Sequence, residues 1–210
     1  MTRIKICGIK TLSDAITAAE AGADLLGFNF YPRSLRFIET QACVEITRVL
    51  KKEYPSIQLI GVFVNSSIEK INTIMSLCSL DLAQLHGNET VEMASALDGK
   101  AFKAFRGIHV DVERFARDES PAFLVDASVE GLYGGSGVTA DWNGAAELAK
   151  HYPLLLAGGL NPDNVVGAVQ QVKPWGVDVA SGVEAGPGRK DADKIKAFVN
   201  AVRSAEIEWR

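Results

Sequence analysis

Two residues that can exchange protons, Cys7 and Asp126, each close a short apolar run of the sequence. A thiol that has lost its proton can act as a base, and a carboxylic acid shielded from water can act as an acid. Both residue types also have structural uses, because cysteine behaves as a small hydrophobic residue and aspartate often caps a helix or forms an ion pair. If folding brings the ends of the two runs together, the pair predicts general acid–base chemistry.

Residues suited to holding an anion follow other apolar runs. Arg36 carries a planar guanidinium that can bind a carboxylate through two hydrogen bonds, whereas Arg33 is interpreted as a solvated loop charge. The pairs Gly158-Gly159 and Ser181-Gly182 follow two later runs, and glycine lets backbone N–H groups approach a phosphate closely. One pair alone fits a tight turn equally well, but the two pairs together favour a phosphate site.

Three further polar residues, Gln84, His86 and Asp178, lie in or just after apolar runs. Gln84 and His86, from the segment QLHG, are predicted to line one pocket. Histidine is the usual general base near neutral pH. A single histidine in this position is more often a hydrogen-bonded pocket wall, and we interpret His86 in that way. Asp178 is expected to orient Cys7 or its neighbours.

These residues must be positioned by a regular alternation of short apolar runs and longer amphipathic runs. Most short runs are apolar throughout, which is typical of parallel strands buried on both faces. Eight strands are predicted, over residues 3–7, 25–30, 58–64, 82–85, 101–105, 122–126, 154–157 and 176–180. Helix starts are predicted at Thr11 or Ser13, at Ser66-Ser67, after Asn161-Pro162-Asp163 and at Asp191.

Eight βα units at about 26 residues each predict an α/β protein with a single domain, residues 1–210, folded as a (β/α)8 TIM barrel. An open doubly wound sheet is the alternative. It usually has fewer strands, and the first βα turn, CGIKTLSD, lacks the GxGxxG pattern. In a barrel the active site lies at the C-terminal ends of the strands, where most of the polar residues above fall.

Composition excludes several classes of protein. Apolar residues make up 47%, charged residues 23%, and the net charge is −4, so no basic surface for nucleic acid or an anionic membrane is expected. Three cysteines without CxxC spacing argue against a disulfide framework or a thiolate metal site and favour a reducing, cytoplasmic compartment. Cys43 and Cys78 lie in helical patterns and are interpreted as filling residues. Neither a signal peptide nor a membrane span is expected.

Seven segments, taken in chain order, resemble the phosphoribosylanthranilate isomerase family. KICGI and the PxSxR element are the specific ones, since sugar-phosphate barrels share turns like GGLNPDNV. The segments are KICGI (5–9), GFNFYPRSLRFI (27–38), GVFVN (61–65), QLHG (84–87), LVDA (124–127), LAGGLNPDNV (156–165) and DVASGVEAGPGRKD (178–191). They span the chain from end to end.

The resemblance implies an enzyme of tryptophan biosynthesis that carries out an Amadori rearrangement, an aldose–ketose isomerisation, of an anthranilate-bearing sugar phosphate. The ribose ring opens to a protonated Schiff base, and a proton then leaves C2′. Cys7 matches the family's base, Asp126 its acid, and Arg36 the residue that holds the anthranilate carboxylate.

The remaining residues and the partners are expected from the predicted barrel together with the implied reaction. Gln84, His86 and Asp178 are expected to bind substrate, and Gly158, Gly159, Ser181 and Gly182 the phosphate. No metal and no cofactor is expected. The expected partner is the small-molecule substrate, and the chain is expected to be a monomer or a homodimer.

One segment departs from the family's pattern. The family usually has GGTG, a lysine or similar polar residue and FDW, where this chain has GGSGVTADW (134–142), so Val138 and Ala140 alter the loop after strand six. Two other functions compete with the isomerase. The related histidine-pathway isomerase would be expected to carry aspartate in place of Cys7. A barrel that only binds a phosphorylated ligand could lack Cys7 or Asp126, and both are present.

Overall fold

The computed structural model describes residues 1–108, 112–117, 119–127 and 141–207. Eight strands close into a barrel in which each strand pairs in parallel with the next, and the last pairs with the first. They are β1 Arg3–Cys7, β2 Leu25–Asn29, β3 Gln58–Phe63, β4 Leu82–Leu85, β5 Ala101–Arg106, β6 Phe123–Asp126, β7 Leu154–Ala157 and β8 Gly176–Val179. The predicted barrel and its eight strands are confirmed, with no strand end displaced by more than one residue.

Helices occupy most of the connections between strands. Within the described part of the chain they are α1 Leu12–Ala21, α2 Thr40–Glu53, α3 Ile68–Leu77, α4 Val91–Ser95, α5 Trp142–Ala149, α6 Val165–Val172 and α7 Ala192–Ile207. Between β5 and β6, the described residues include a short 3-10 helix, Val112–Phe115. Among the helices of the described ranges, none is long and apolar enough to cross a membrane.

A short antiparallel hairpin follows β8. Its strands are β9, Glu184–Gly186, and β10, Arg189–Lys190, and the chain then enters α7. The hairpin lies in the connection after β8, at the end of the barrel where an active site is expected.

The helix starts follow from local side-chain chemistry. Thr11 and Ser67 are the N-caps of α1 and α3, and their hydroxyls accept hydrogen bonds from the N–H groups of Asp14 and Lys70. Asp141 caps α5 in the same way through the N–H of Gly144. Asp141 and Trp142 are thus placed, whereas Val138 and Ala140 lie outside the described residues.

Two clusters of buried side chains form the core. One fills the barrel interior and consists of Leu25, Ile60, Leu82, Phe102, Ala104, Leu124, Leu155 and Ala157. The other, larger cluster lies between the barrel wall and the helices and includes Ile4 and Ile6 of β1 and Phe198 of α7. Cys43 and Cys78 are fully buried in this outer cluster, as filling residues would be. The packed interior leaves space for a ligand at the C-terminal end of the strands.

Candidate active site

A cavity of about 260 Å³ opens at the C-terminal ends of the strands. Residues of β1, β2, β3, β4, β6, β7 and β8 and of the loops after β2, β4, β7 and β8 line it. It brings together the predicted residues Cys7, Arg36, Gln84, His86, Asp126, Gly158, Gly159, Asp178 and Ser181. Gly182 is the predicted site residue that is not part of this lining.

The Cys7 thiol lies at the end of β1 and is almost fully buried. Burial raises the pKa of Cys7, because a thiolate is poorly solvated there. The ammonium group of Lys5 acts in the opposite direction, Asp178 raises the pKa further, and Lys190 lowers it. The net effect is a raised pKa, so Cys7 is a neutral thiol at neutral pH, with two cations close enough to stabilise a thiolate.

Sequence reasoning missed Lys5, which is fully buried in the barrel interior. Its Nζ donates hydrogen bonds to Gln84 Oε1 on β4 and to Asp178 Oδ1 on β8, both at 2.9 Å. Burial lowers the pKa of Lys5, but the opposing contributions, of which the charge of Asp178 is the largest, leave the net pKa raised, so the ammonium stays charged. The sequence did contain a signal for this residue. Side chains two positions apart on a strand face the same side, so Lys5 faces the same side of β1 as Cys7.

Arg36 is held by a carboxylate that sequence reasoning also missed. Arg36 Nε and Nη2 donate to the two oxygens of Glu184 at 2.7 and 2.8 Å, a bidentate pair. Glu184 lies on β9, and its Oε1 also accepts from Lys190 Nζ at 3.3 Å. The hairpin after β8 therefore sets the position of Arg36, and the donors on Nη1 are not used by this pair.

Gln84 and His86 form one hydrogen-bonded unit in the cavity wall. Gln84 Nε2 and His86 Nδ1 lie 3.0 Å apart. Burial lowers the pKa of His86, so its imidazole is neutral at physiological pH.

Asp126 ends β6 and lines the same cavity as Cys7. Two strands, β7 and β8, separate β6 from β1 around the barrel. A carboxyl and a thiol thus reach one space from different strands, which is the arrangement that acid–base catalysis on a bound molecule requires.

The loop after β7 turns sharply through two glycines. Gly158 and Gly159 have φ values of 106° and 63°, in the left-handed region that favours glycine. The side-chain amides of Asn161 and Asn164 both donate to Gly159 O, at 3.4 and 3.0 Å, and fix the turn. The segment GGLNPDN therefore builds a defined backbone surface at the cavity.

Gly182 has a different surrounding from the other predicted phosphate-binding residues. A Cβ at this position would overlap the carbonyl oxygen of Leu160. Glycine therefore lets the loop after β8 pack directly against the loop after β7, which carries Gly158 and Gly159. Ser181 lines the cavity beside this contact.

Comparison with known proteins identifies the family. The model of the N-(5′-phosphoribosyl)anthranilate (PRA) isomerase family matches residues 4–201. The chain belongs to this family. It is thus an aldose–ketose isomerase of tryptophan biosynthesis, as the sequence segments predict.

Curated PRA isomerases are similar to the chain over nearly its whole length. The PRA isomerase of Geotalea daltonii is 43% identical over 204 residues, with 97% of each chain covered. That of Magnetococcus marinus is 46% identical over 207 residues, covering 97% of this chain and 96% of its own.

Solved PRA isomerase structures share the barrel. The Thermotoga maritima enzyme superposes with a TM-score of 0.85 at 39% identity, covering 97% of this chain and all (100%) of its own. Monomers of that dimeric enzyme have also been crystallised. A PRA isomerase in complex with reduced 1-(o-carboxyphenylamino)-1-deoxyribulose 5-phosphate superposes with a TM-score of 0.82 at 38% identity, covering 97% of this chain and 100% of its own.

Proposed function

We propose that the chain isomerises N-(5′-phosphoribosyl)anthranilate to 1-(2-carboxyphenylamino)-1-deoxyribulose 5-phosphate by general acid–base catalysis, with Asp126 as the acid and Cys7 as the base. The observation that carries this mechanism is the single cavity that Cys7, Asp126, Arg36 and the Gly158-Gly159 turn share. The family has one substrate with a carboxylate at one end and a phosphate at the other, and the cavity offers a group for each.

The substrate is oriented by binding groups at the two ends of the cavity, one for its phosphate and one for its carboxylate. The phosphate binds at the backbone of Gly158, Gly159 and Ser181, with Gly182 allowing the close contact between the two loops. The anthranilate carboxylate binds the Arg36 donors that Glu184 does not use. Gln84, His86 and Asp178 complete the wall around the ribose. The reacting carbons then lie between Cys7 and Asp126.

The acid step opens the ring. Asp126 donates a proton to the ribose ring oxygen, the C1′–O bond breaks, and the anthranilate nitrogen supplies the electron pair that forms a protonated Schiff base. The carboxyl becomes a carboxylate, and the substrate gains a positive charge beside Cys7.

The base step follows from that charge. The iminium cation, together with Lys5 and Lys190, favours ionisation of Cys7, whose pKa burial otherwise raises. The thiolate removes the proton from C2′, and the electrons of that C–H bond neutralise the iminium and give an enolamine. Tautomerisation of the enolamine yields the ketose. Cys7 thus accepts the proton from C2′, and the tautomerisation moves the enol hydroxyl proton to C1′.

We also propose that residues 1–210 act as one catalytic domain in the cytoplasm, as a monomer or a homodimer. The free thiols of Cys7, Cys43 and Cys78 support a reducing compartment. The dimeric Thermotoga maritima relative makes the homodimer the arrangement to test first.

The mechanism is tested by Cys7→Ala, assayed by the fluorescence change of the anthranilate substrate. We expect kcat to fall by roughly 10²–10⁴-fold, because a general base acts mainly in the transition state, with binding of a reduced product analogue nearly unchanged. Cys43→Ala is the matched control, since it removes a buried thiol that does not line the cavity. Activity of Cys7→Ala close to that of the control would show that the base is another group.

Asp126→Asn tests the acid in the same assay. The amide keeps the shape of the side chain but cannot protonate the ring oxygen, so kcat should fall by a similar factor. If the variant lost affinity alone, Asp126 would be a binding residue and another group the acid.

A further inference from the structure

The hydrogen bonds of Gln84 allow only one orientation of its amide. Lys5 Nζ, which can only donate, lies 2.9 Å from one end of the amide, and that end must therefore be the carbonyl oxygen. Asp178 holds the same ammonium at 2.9 Å, and Lys5 is fully buried, so the donor is fixed in place. The other end of the amide is the NH₂ group.

The amide orientation in turn decides the protonation of His86. The Gln84 NH₂ group can only donate, and it lies 3.0 Å from His86 Nδ1. Nδ1 must therefore present a lone pair. A neutral imidazole with a lone pair on Nδ1 carries its proton on Nε2.

The charged groups around His86 do not favour a second proton. Burial lowers the pKa of His86. Asp178 from β8 and Asp126 from β6 raise it, whereas Lys5 from β1 and Arg106 from β5 lower it, so two carboxylates face two cations. The ring remains neutral, in agreement with the donor that faces Nδ1.

We propose that Lys5 and Gln84 are positioning residues that hold His86 as the neutral Nε2–H tautomer, which donates a hydrogen bond to a substrate oxygen and transfers no proton. The proposal rests on the function proposed above, since it specifies how His86, in the wall of that site, recognises the substrate. His86 lines both the catalytic cavity and a neighbouring cavity of about 630 Å³ that includes Arg106. With Nδ1 engaged, Nε2–H is the polar edge of the ring that remains for a ligand.

The tautomer can be measured directly on the intact enzyme by ¹⁵N-edited NMR of the histidine rings. The chain has three histidines, His86, His109 and His151, and the signal that His86→Gln removes assigns His86. We expect Nδ1 to be unprotonated and Nε2 protonated at pH 7 and above, with a second proton binding only below the ordinary histidine pKa of about 6.5. A proton on Nδ1, or a doubly protonated ring at neutral pH, would overturn the proposal.

Gln84→Glu tests whether the residues that we name control the tautomer. A carboxylate accepts at both oxygens, so it still binds Lys5 but now requires a proton on His86 Nδ1. We expect Nδ1 to become protonated and kcat/KM to fall by about 10- to 100-fold, the loss for one hydrogen bond to the substrate. The same substitution at an exposed position on β3, Gln58→Glu, is the matched control and should leave both readings unchanged.

An unaltered His86 signal in Gln84→Glu would mean that Gln84 does not set the tautomer, and the proposal would be wrong. If Gln84→Glu does not fold, the wild-type spectrum still decides between the two tautomers. The NMR reading requires no turnover, so its outcome is separate from that of Cys7→Ala and Asp126→Asn. If Cys7→Ala kept its activity, the base would have to be reassigned, but the result for the His86 tautomer would not be affected.

Discussion

Three lysines are buried at the catalytic end of the barrel, Lys5, Lys103 and Lys190. A buried charge is costly unless it is paired, and each of these is bonded to a carboxylate. The pairs are Lys5–Asp178, Lys103–Glu89 and Lys190–Glu184. Of these groups, Lys5 and Lys190 act on the ionisation of Cys7, and Glu184 also fixes the position of Arg36.

The same residues mark the limit of what the sequence could predict. Cys7, Asp126 and Arg36 could be found because their segments match a family pattern and because strand ends face the site. Lys5 and Lys103 lie within apolar strands, and each could have been noticed as a single charge of a buried run. Asp178 was predicted as a site residue, but its pairing with Lys5 could not be, since Asp178 is 173 residues away and meets Lys5 only when the barrel closes.

The pair of Arg36 and Glu184 leads to a prediction about substrate affinity. Arg36→Met should weaken binding of the anthranilate carboxylate by about 1.5–3 kcal/mol, the range for hydrogen bonds to charged groups, and should raise KM more than it lowers kcat. Glu184→Gln should act in the same direction, because it loses the charge that fixes the guanidinium. Steady-state kinetics give both values.

The control for Arg36 is Arg33→Met, which removes an exposed arginine of the same loop. Binding of a substrate analogue without the carboxylate should not respond to Arg36→Met. Equal losses for substrate and analogue would mean that Arg36 supports the loop and does not recognise the carboxylate.

Among the elements, β1 shows how a strand divides its side chains between two tasks. Ile4 and Ile6 pack in the cluster under the helices, while Lys5 and Cys7 face the barrel interior. The neighbouring strand β2 leaves room for them, because Gly27 pairs with Cys7 and has no side chain. Most predicted strands are nearly all apolar, but β1 reads RIKIC, and Lys5 stands at an inward position where an apolar residue would be expected.

The hairpin formed by β9 and β10 could not be predicted from the sequence. Its strands are three and two residues long, too short for a period of two to be visible. The segment EAGPGRK looks like an ordinary turn. Its position, which brings Glu184 to Arg36, depends on contacts with the loop after β2.

Gly27 leads to a prediction at the level of the strand pair. A Cβ at Gly27 would lie 2.8 Å from Cys7 Sγ and 3.2 Å from Lys5 Nζ, so Gly27→Ala must displace the thiol. We expect kcat to fall at least tenfold, because misplacing a reacting group by about 1 Å can cost 10²-fold, while the far-UV circular dichroism stays that of the wild type.

Gly167→Ala is the matched control for this experiment. Its Cβ would make only an ordinary contact, 3.7 Å from Trp142 on the outside of the barrel, and activity should not change. Unchanged kcat in Gly27→Ala would show that the position of the Cys7 sulfur is not critical, and would weaken its assignment as the base.

For the whole molecule, the order of elements was the most predictable feature. Eight buried strands between amphipathic helices allow few closed arrangements, so the barrel follows from the alternation of runs. The contacts that cross the interior were not predictable. They depend on how far each strand is shifted against the next, as in the pairing of Lys5 with Asp178 on β8.

The ends of β3, β4 and β5 are joined by one buried ion pair. Lys103 Nζ on β5 bonds Glu89 Oε2 at 2.7 Å, and the N–H groups of Asn65 and Gly87 donate to the same carboxylate at 2.7 and 2.8 Å. Burial acts to raise the pKa of Glu89, but the Lys103 hydrogen bond and the backbone N–H groups outweigh it, and the net pKa is lowered.

Glu89→Gln should therefore destabilise the barrel in a pH-dependent way. At neutral pH the loss leaves Lys103 buried without a counter-charge, and the free energy of unfolding should fall by about 3–5 kcal/mol. A lowered folded-state pKa means that the stabilisation is complete above the unfolded pKa of about 4.3 and is lost as the pH falls through the folded value. The difference between wild type and variant should thus shrink in acid.

Urea unfolding at pH 7 and at successively lower pH measures this difference. Glu147→Gln, which breaks the exposed pair with Lys150, is the control and should show no comparable loss at any pH. A difference of several kcal/mol at pH 7 that persisted unchanged into acid would show that Glu89 stabilises by shape and packing alone. Equal stability of Glu89→Gln and wild type at pH 7 would show that the three strand ends are held by other contacts, since the charge at Glu89 would then contribute nothing to the barrel.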